Sequence, residues 1–466
     1  MTQQIPPRQV STPPPEAPPD PDGTTPVDET AVPRRAEGVS LLGEYEGGGY
    51  SEPRYLVSRG DDQMVMVTPM LYAVLGAVTG DRTLAEVAEH AGETHGAELT
   101  SEAVQYLIER KLQPLGLVTL GEQVKSPPRA NPLLALHLHR QLIPAKVVRR
   151  LAAFFAPMFV PPIVASVALA LLILDVWLVA NGHAGASISL SVGSPFLTLS
   201  VIGVTLVNTL FHECGHAAGC HYGGGKPGGI GVGILVYVPA FYTNVNDAYR
   251  LDRRGRLRTD LGGIYFNAVF IVFLGAIYLL THFAAIPAMI AVIHLQMLQQ
   301  LLPLVRLDGY YILGDIVGVP NLFEQIPRVV RQVILRRGPD PAIANLRRRV
   351  RVAITVWVCL VVPILIAALV RLVVVLPGYL ATATRNMVGY WHVCTQAFGH
   401  GNVPVMLVAL IAIVILMVPW VGATSLLIRT GVKIGRMVRK LRRRIAMRRA
   451  APKPPELAGS AATGAK

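Results

Sequence analysis

Charged residues are scarce in this chain. Only 15% of its 466 residues are charged and 52% are hydrophobic, whereas about a quarter of the residues in an ordinary soluble domain carry a charge. This composition excludes an ordinary soluble protein. It predicts a chain whose apolar segments lie in a lipid bilayer.

Cysteine is also scarce, and it lacks any metal-binding or redox spacing. The four cysteines form no CxxC pair and fall in or near apolar segments; they are Cys214, Cys220, Cys359 and Cys394. The pattern excludes a disulfide framework and a thiolate zinc site. We expect buried free thiols.

The first forty residues contain hardly any large apolar side chains but ten prolines. They have neither the charged start nor the apolar stretch of a signal peptide. Because they cannot bury enough apolar surface to form a core, we predict a disordered tail over residues 1–40.

The net charge of +14 is not spread along a soluble face, as nucleic-acid binding would require. Lys and Arg instead form short blocks beside apolar runs, as at 146–150 and 442–444. Such blocks orient membrane proteins, so we predict no nucleic-acid partner. We assign residues 126–150 as a basic linker and 431–466 as a basic cytoplasmic tail that contacts anionic lipid.

Residues 41–125 have the pattern of a small soluble domain. Strand-like runs at 55–57 and 64–67 precede helices whose starts are marked by Thr68, ahead of a proline, and by Thr83, three residues before a glutamate. A further strand follows the third helix. Strands that bracket three short helices predict a winged-helix-like α+β domain.

Two runs in this segment, DDQMVMVTPMLYAVLGAVTGDRTLAEVAEH and LIERKLQPLGLVTL, resemble the PqqD type of peptide-recognition domain. The resemblance implies a domain that binds the leader segment of a precursor peptide by adding it as a strand to a sheet edge. The alternative is a generic winged helix used for packing or oligomerisation.

Six later runs approach the ~20 apolar residues that a bilayer core requires. They lie at 156–180, 196–220, 261–282, 285–305, 351–376 and 403–427. The connecting segments alternate between rich and poor in Lys and Arg, which favour the cytoplasmic side. The sequence predicts a mainly α-helical, multi-pass protein of the cell membrane, with six spans within residues 151–430 and both termini cytoplasmic. We expect residues 377–402 to form an outer loop with aromatic anchors.

The second span contains the motif HECGH at 212–216. Two histidines four residues apart share one face of a helix, so His212 and His216 can reach one tetrahedral zinc ion, and Glu213 can accept a proton from a water molecule. Ionisable groups in hydrocarbon are costly unless they coordinate or pair. Polar groups that join helices are the alternative.

A catalytic zinc ion needs a third protein ligand. Asp308, beside the cytoplasmic end of the fourth span, is the acid at the matching depth. An interfacial carboxylate paired with Arg306 is the alternative. Four rival ligands match less well in depth or type: His221, Asp247, Asp260 and His294.

HECGH and the later LDG resemble the two metal motifs of the site-2 protease family of intramembrane zinc metalloproteases, particularly the bacterial peptide zinc metalloproteases. The resemblance covers about residues 195–320. It implies a site-2 protease-like core in which His212, His216 and Asp308 hold zinc and Glu213 is the general base.

The segment from Gly263 to Asn267 resembles the Gly-x-x-x-Asn element of that family. Members often have asparagine eight residues before the ligand aspartate, where this chain has Gln300. Asn267 and Gln300 are therefore candidates to support the transition state by hydrogen bonding to a developing oxyanion.

Residues 228–238 are apolar but too short and too rich in glycine to span a membrane. They predict a re-entrant hairpin. Gly231, Val232 and Gly233 are candidates for a strand that pairs with an extended substrate near the metal, and a purely structural loop is the alternative.

The sequence thus predicts a zinc-dependent metalloendopeptidase that acts on a peptide or membrane-protein substrate. The family resemblance implies maturation of a ribosomally made, modified precursor peptide. Alternatives are cleavage of a membrane-anchored signalling regulator and a non-proteolytic peptide export or immunity protein that retains the fold. A zinc transporter would need polar residues along a full path across the membrane, and the outer halves of the spans lack them.

Overall fold

The computed structural model describes residues 2–3, 8–9, 30–60, 63–119, 137–181, 187, 195–235, 238–333, 336, 338, 340–417, 420–421 and 424. The predicted basic tail at 431–466 lies outside the described residues. So do most of the predicted tail at 1–40 and the first part of the predicted linker at 126–150.

Strands and helices are numbered along the described chain. The strands are β1 (Thr2–Gln3), β2 (Arg8–Gln9), β3 (Arg34–Arg35), β4 (Ser40–Glu44), β5 (Tyr55–Ser58), β6 (Met64–Val67), β7 (Val118–Thr119), β8 (His137–Ile143), β9 (Ile230–Leu235) and β10 (Val238–Asn244). The helices are α1 (Pro69–Ala77), α2 (Leu84–His95), α3 (Ser101–Leu107), α4 (Ala145–Phe155), α5 (Pro161–Ala180), α6 (Pro195–Tyr222), α7 (Arg253–Thr281), α8 (Ile286–Leu301), α9 (Asp308–Val317), α10 (Ile326–Val333), α11 (Pro341–Ala344), α12 (Arg348–Gly399) and α13 (Val403–Met417). The fold is mainly helical, as predicted.

The described residues of 30–119 form an α+β region, the N-terminal unit. Strands β4, β5 and β6 make an antiparallel sheet that packs against α1, α2 and α3. The helix starts are those predicted: the Thr68 hydroxyl accepts from the Leu71 amide, and Thr83 forms a capping box with Glu86. The apolar core includes Val57, Val65, Leu71, Leu75, Val87, Val104, Ile108 and Leu112.

The N-terminal unit starts before the predicted boundary at residue 41. Strand β3 pairs antiparallel with β7 at the far end of the unit. The Arg35 guanidinium donates to the carbonyls of Leu75 and Gly76 at 2.9 and 2.8 Å, and Ala31 packs against the core. This pairing strand consists of two arginines, so it gave no apolar signal in the sequence.

Four described helices are long and apolar enough to cross a membrane: Pro161–Ala180, Phe196–Tyr222, Arg253–Thr281 and Arg348–Ala368. The helices at the predicted fourth and sixth spans, α8 and α13, are shorter. Helix α8 has 16 residues, or about 24 Å of length, against a hydrocarbon core of about 30 Å. It ends at Leu301. The next residue, Leu302, has an extended backbone and precedes a proline, which disfavours helix at that position.

The predicted outer loop at 377–402 is wrong. Helix α12 continues through this segment to Gly399 and contains 52 residues, which makes it about 78 Å long. Pro363 and Pro377 lie inside it. A proline removes one helical hydrogen bond, but the alanine, leucine and methionine residues that follow favour helix, so the helix continues.

The cysteines are free, as predicted. Cys214, Cys220 and Cys394 are buried, but Cys359 is exposed. Cys359 lies within the part of α12 that is long and apolar enough to span a membrane, so lipid rather than protein would cover it.

A second sheet lies beside α6. Its described strand order is β1, β10, β9 and β8. Strands β9 and β10 form an antiparallel hairpin, which begins in the segment predicted at 228–238 but extends beyond it to Asn244. Strand β8, within the predicted linker, pairs antiparallel with β9. The linker therefore supplies a structural strand.

The N-terminal unit packs directly onto the helical part. One apolar cluster contains residues of both, including Tyr45, Leu56, Met66, Tyr310, Leu322 and Trp357. The two parts of the chain therefore share a hydrophobic core.

A buried ion pair within the helical part also contacts the N-terminal unit. The Arg256 guanidinium donates to Asp315 at 3.1 Å and to the Glu46 carbonyl at 2.9 Å. It also lies 4.2 Å from the centre of the Tyr45 ring, whose hydroxyl donates to Asp315 at 3.2 Å. Burial raises the pKa of Asp315, while Arg256 acts in the opposite direction.

Candidate metal centre

Helix α6 places the HECGH motif in the interior. His212, Glu213 and His216 are at most 1% exposed. Helix α7 crosses α6 closely because both helices have glycine at the contact: a Cβ added to Gly215 or Gly262 would overlap the other glycine's carbonyl. The crossing brings the backbone of α7 against the two histidine rings.

Asp308 reaches the same point from α9. It is fully buried at the first position of that helix. The glycine after it, Gly309, lies so close to the Leu301 carbonyl that no Cβ fits. The LDG motif therefore lets α9 begin against the end of α8, which directs Asp308 toward α6.

The three side chains form one compact cluster. The Nε2 atom of His212 lies 3.1 Å from Asp308 Oδ2 and 3.0 Å from His216 Nε2, and the His216 Nε2 atom lies 3.5 Å from Asp308 Oδ1. In a tetrahedral zinc site with bonds of about 2.0–2.1 Å, neighbouring ligand atoms lie about 3.3 Å apart. Two imidazoles and a carboxylate also suit zinc chemically, so the cluster fits this ion.

Hydrogen bonding at Nδ1 determines which ring nitrogen of a histidine is available to the metal cluster. His216 donates through Nδ1 to the Thr259 carbonyl at 2.8 Å. This bond fixes the tautomer and leaves the Nε2 lone pair free for a metal ion. Among the described residues, His212 Nδ1 has no hydrogen-bond partner.

Asp308 is kept in the form that binds metal. Burial acts to raise its pKa, but His216 and His212 outweigh burial and hold the pKa well below its usual range. A metal-binding carboxylate must be ionised. Arg306, the alternative partner of Asp308, lies 3.4 Å from Asn321 and faces the ring of Phe323.

Glu213 is held by the hairpin. The Thr243 hydroxyl, on β10, lies 2.7 Å from Glu213 Oε2 and 2.9 Å from its backbone carbonyl. The carboxylate is therefore directed toward the side of the site where β10 lies.

A chain of amides extends from the metal cluster between three helices. Asn208 donates to Asn267 at 3.1 Å, and Asn267 donates to the Gln300 carbonyl oxygen at 3.2 Å. The Gln300 amide nitrogen then lies 3.5 Å from His212 Nε2. Asn267 and Gln300 thus meet beside the cluster, with Gln300 nearer to it.

The three residues proposed as a substrate-pairing strand lie in an interior strand rather than at an edge of the sheet. Gly231, Val232 and Gly233 are on β9, the central strand of the hairpin sheet. Strand β10 pairs with all three, and β8 pairs with Gly231 and Val232. Both edges of β9 are therefore already used, and the edge that faces Glu213 belongs to β10.

Two of the four rival ligands, Asp247 and His294, have other partners away from the cluster. Asp247 accepts from the Lys226 amide and pairs with Arg250. His294 lies 3.2 Å from Asp175 on α5. Of the described residues, only His212, His216 and Asp308 form a cluster of three potential ligands.

Three residues of the site were not predicted from the sequence. Thr243 acts through its contact with Glu213, Thr259 through its backbone carbonyl, and Asn208 through the amide chain. Only Asn208 could have been identified from the sequence. It lies four residues before His212 on an apolar helix, where a buried amide requires a hydrogen-bond partner.

The sequence is similar to that of a curated bacterial protein. Over 110 residues, 23% of this chain, the sequence is 30% identical to "Putative peptide zinc metalloprotease protein YydH" of Bacillus subtilis (strain 168). The match covers 44% of that relative, so this chain spans less than half of its length. No family model and no solved structure matches the chain.

Proposed function

We propose that this protein is a membrane-embedded zinc metalloendopeptidase, with several spans in the cell membrane and both termini in the cytoplasm. The observation that carries the proposal is the buried cluster of His212, His216 and Asp308, beside which Glu213 lies one position along the same helix. Similarity to a protein named as a peptide zinc metalloprotease supports it.

The chain's own residues account for the acid and base steps. Zinc held by the three ligands would activate a water molecule and polarise the peptide carbonyl. Glu213, oriented by the Thr243 hydroxyl, accepts the proton of the attacking water and returns it to the leaving amine. The hydrogen bond from His216 Nδ1 to the Thr259 carbonyl keeps the His216 Nε2 atom directed toward His212 and Asp308, where the metal ion would bind.

Gln300 is placed to bind the substrate carbonyl. Its side-chain oxygen accepts from Asn267, which turns its NH2 group toward His212. An NH2 group in this position can donate to an oxyanion as charge develops. Asn267 then acts by positioning Gln300.

We further propose that the substrate is the precursor of a ribosomally made, modified peptide. The N-terminal unit would bind the precursor's leader. The hydrophobic core that this unit shares with the helical part supports leader binding there, because a peptide bound to the unit would lie near the metal centre. The rival functions are cleavage of a membrane-anchored regulator and peptide export or immunity without proteolysis.

The Glu213→Gln variant tests the catalytic part. Wild-type protein and variant, reconstituted in lipid nanodiscs with zinc, are incubated with a peptide library prepared by digesting a proteome, and new termini are identified by mass spectrometry. Elemental analysis measures zinc. We expect one zinc per chain in both proteins and new termini only with the wild type.

The matched control is Glu102→Gln, an exposed site on α3, which should cleave like the wild type. Cleavage by Glu213→Gln within tenfold of the wild type would exclude this glutamate as the base. Zinc binding without cleavage in the wild type would favour the non-proteolytic rival.

A further inference from the structure

The chain's own N-terminal segment pairs with the outer strand of two different sheets. Strand β1 lies parallel to β10, with Thr2 opposite Thr243 and Gln3 opposite Asn244. Strand β2 lies parallel to β6, with Arg8 opposite Val65. Without this segment, β10 and β6 would both be sheet edges among the described strands.

The two edges lie within reach of one short peptide. Five residue steps separate Gln3 from Arg8, and an extended chain covers at most about 18 Å in five steps. Strand β1 is parallel to β10 and β2 is parallel to β6, so a peptide that runs in one direction can form the parallel pairing with both edges. A peptide of about eight residues can therefore pair with both edges at once.

The β10 end of this path is at the proposed catalytic site. Thr243, opposite Thr2, is also the residue whose hydroxyl holds Glu213. A backbone in the place of β1 therefore passes beside the general base. Pairing of this kind uses main-chain hydrogen bonds and needs little particular sequence.

We infer that the edges of β6 and β10 form one binding path for an extended peptide substrate, and that β1 and β2 occupy the two ends of this path as an internal competitor. The inference rests on the proposed function. The substrate lies parallel to both strands, held on the N-terminal unit at β6 and delivered to Glu213 along β10. It must displace the chain's own segment to bind.

Hydrogen exchange tests the path without any substrate. The probe is the synthetic peptide MTQQIPPRQV, added to protein in which residues 2–9 are deleted. We expect the deletion to speed amide exchange in both 64–67 and 238–244, and the peptide to restore slow exchange in both. The shorter peptide MTQQ should protect only 238–244.

Exchange that is unchanged by the deletion in either stretch would overturn the inference. Protection of only one stretch by the ten-residue peptide would show two separate sites and would also overturn it. Deleting residues 20–27 removes the same number of residues and should leave exchange in both stretches unchanged.

Cleavage tests the competition. With library peptides below saturation, the 2–9 deletion should cleave at least about fivefold faster than the full chain, because a tethered segment acts at an effective concentration of order millimolar. Added MTQQIPPRQV should raise KM and leave kcat unchanged. An unaltered rate in the deletion would refute competition.

A crosslink separates failure of this inference from failure of the proposed function. In a cysteine-free background, Gln3→Cys with Asn244→Cys should form a disulfide, since the two residues are opposite each other, and the oxidised protein should lose cleavage until it is reduced with a phosphine. Crosslinked protein that cleaves normally would refute the inference alone. No cleavage by any variant, full chain included, would refute the proposed function.

Discussion

Replacing Gly263 by alanine should destroy the metal centre without changing any ligand. A Cβ added at this position would lie 2.4 Å from the Nε2 atoms of both His212 and His216. Non-bonded heavy atoms prefer about 3.5–4.0 Å, so the rings or α7 would have to move by roughly 1 Å. Zinc sites tolerate ligand displacements of about 0.2 Å, and rings moved this far cannot share an ion with Asp308.

The expected effect is large. A misplacement of 1 Å costs about 100-fold in rate, and we expect Gly263→Ala to lose at least this factor in both zinc affinity and cleavage. Gly203, on α6, is the matched control because nothing lies within 4 Å of a Cβ added there. Gly203→Ala should retain both properties, since alanine is the better helix former.

The assay compares zinc occupancy after dialysis against buffers of stepped free zinc, with helix content and size-exclusion behaviour as measures of folding. Wild-type affinity in a folded Gly263→Ala protein would refute the close packing of α7 against the histidines. Equal losses in the two glycine variants would assign the effect to the helices in general rather than to the metal centre.

Four further changes test other parts of the structure. Asp308→Ala should bind less than one zinc per chain at a chelator concentration that leaves the wild type loaded, by elemental analysis, because two histidines hold zinc weakly; full retention would require another third ligand. Thr243→Val removes a hydrogen bond to a charged group worth about 1.5–3 kcal/mol, so kcat/KM should fall about 10–100-fold with zinc content unchanged, and an unaltered kcat/KM would deny it a part in orienting the base. Arg256→Ala leaves a buried carboxylate without its cation and should cost about 3–5 kcal/mol of stability, seen as a lower thermal midpoint in detergent; an unchanged midpoint would contradict the buried pair. Single cysteines at Thr395 and Gly338, both exposed, should react with an impermeant thiol reagent from outside and from inside respectively, and the opposite pattern would reverse the proposed orientation.

The grouping of two of the three candidate metal ligands could be predicted because their pattern is local. His212 and His216 are one helical turn apart, so helix geometry alone brings them together. Asp308 followed from its chemistry and its depth at the end of an apolar segment. Its observed distance of 3.1 Å from His212 agrees with that reasoning.

The supporting contacts could not be predicted in the same way. Thr243 is 30 residues from Glu213, and its neighbours Tyr242 and Asn244 give no sign of a partner so far along the chain. The hairpin was predicted, but its edge was misplaced: periodicity locates a strand, whereas the order of strands in a sheet depends on β8, which the basic linker concealed. The length of α12 was not predicted because the aromatic residues of 377–402 were interpreted as anchors of an outer loop.

The core shared by the N-terminal unit and the helical part has a consequence for where a substrate is cut. Met66 of β6 packs in the same cluster as Tyr310 of α9, so the edge of β6 cannot drift away from the metal centre as a tethered domain would. A peptide gripped at β6 then presents a set number of residues to Glu213. The cleavage site would then be set by its distance from the bound segment. Adding two residues between that segment and the scissile bond would shift cleavage by two residues, whatever the sequence at the new cleavage site.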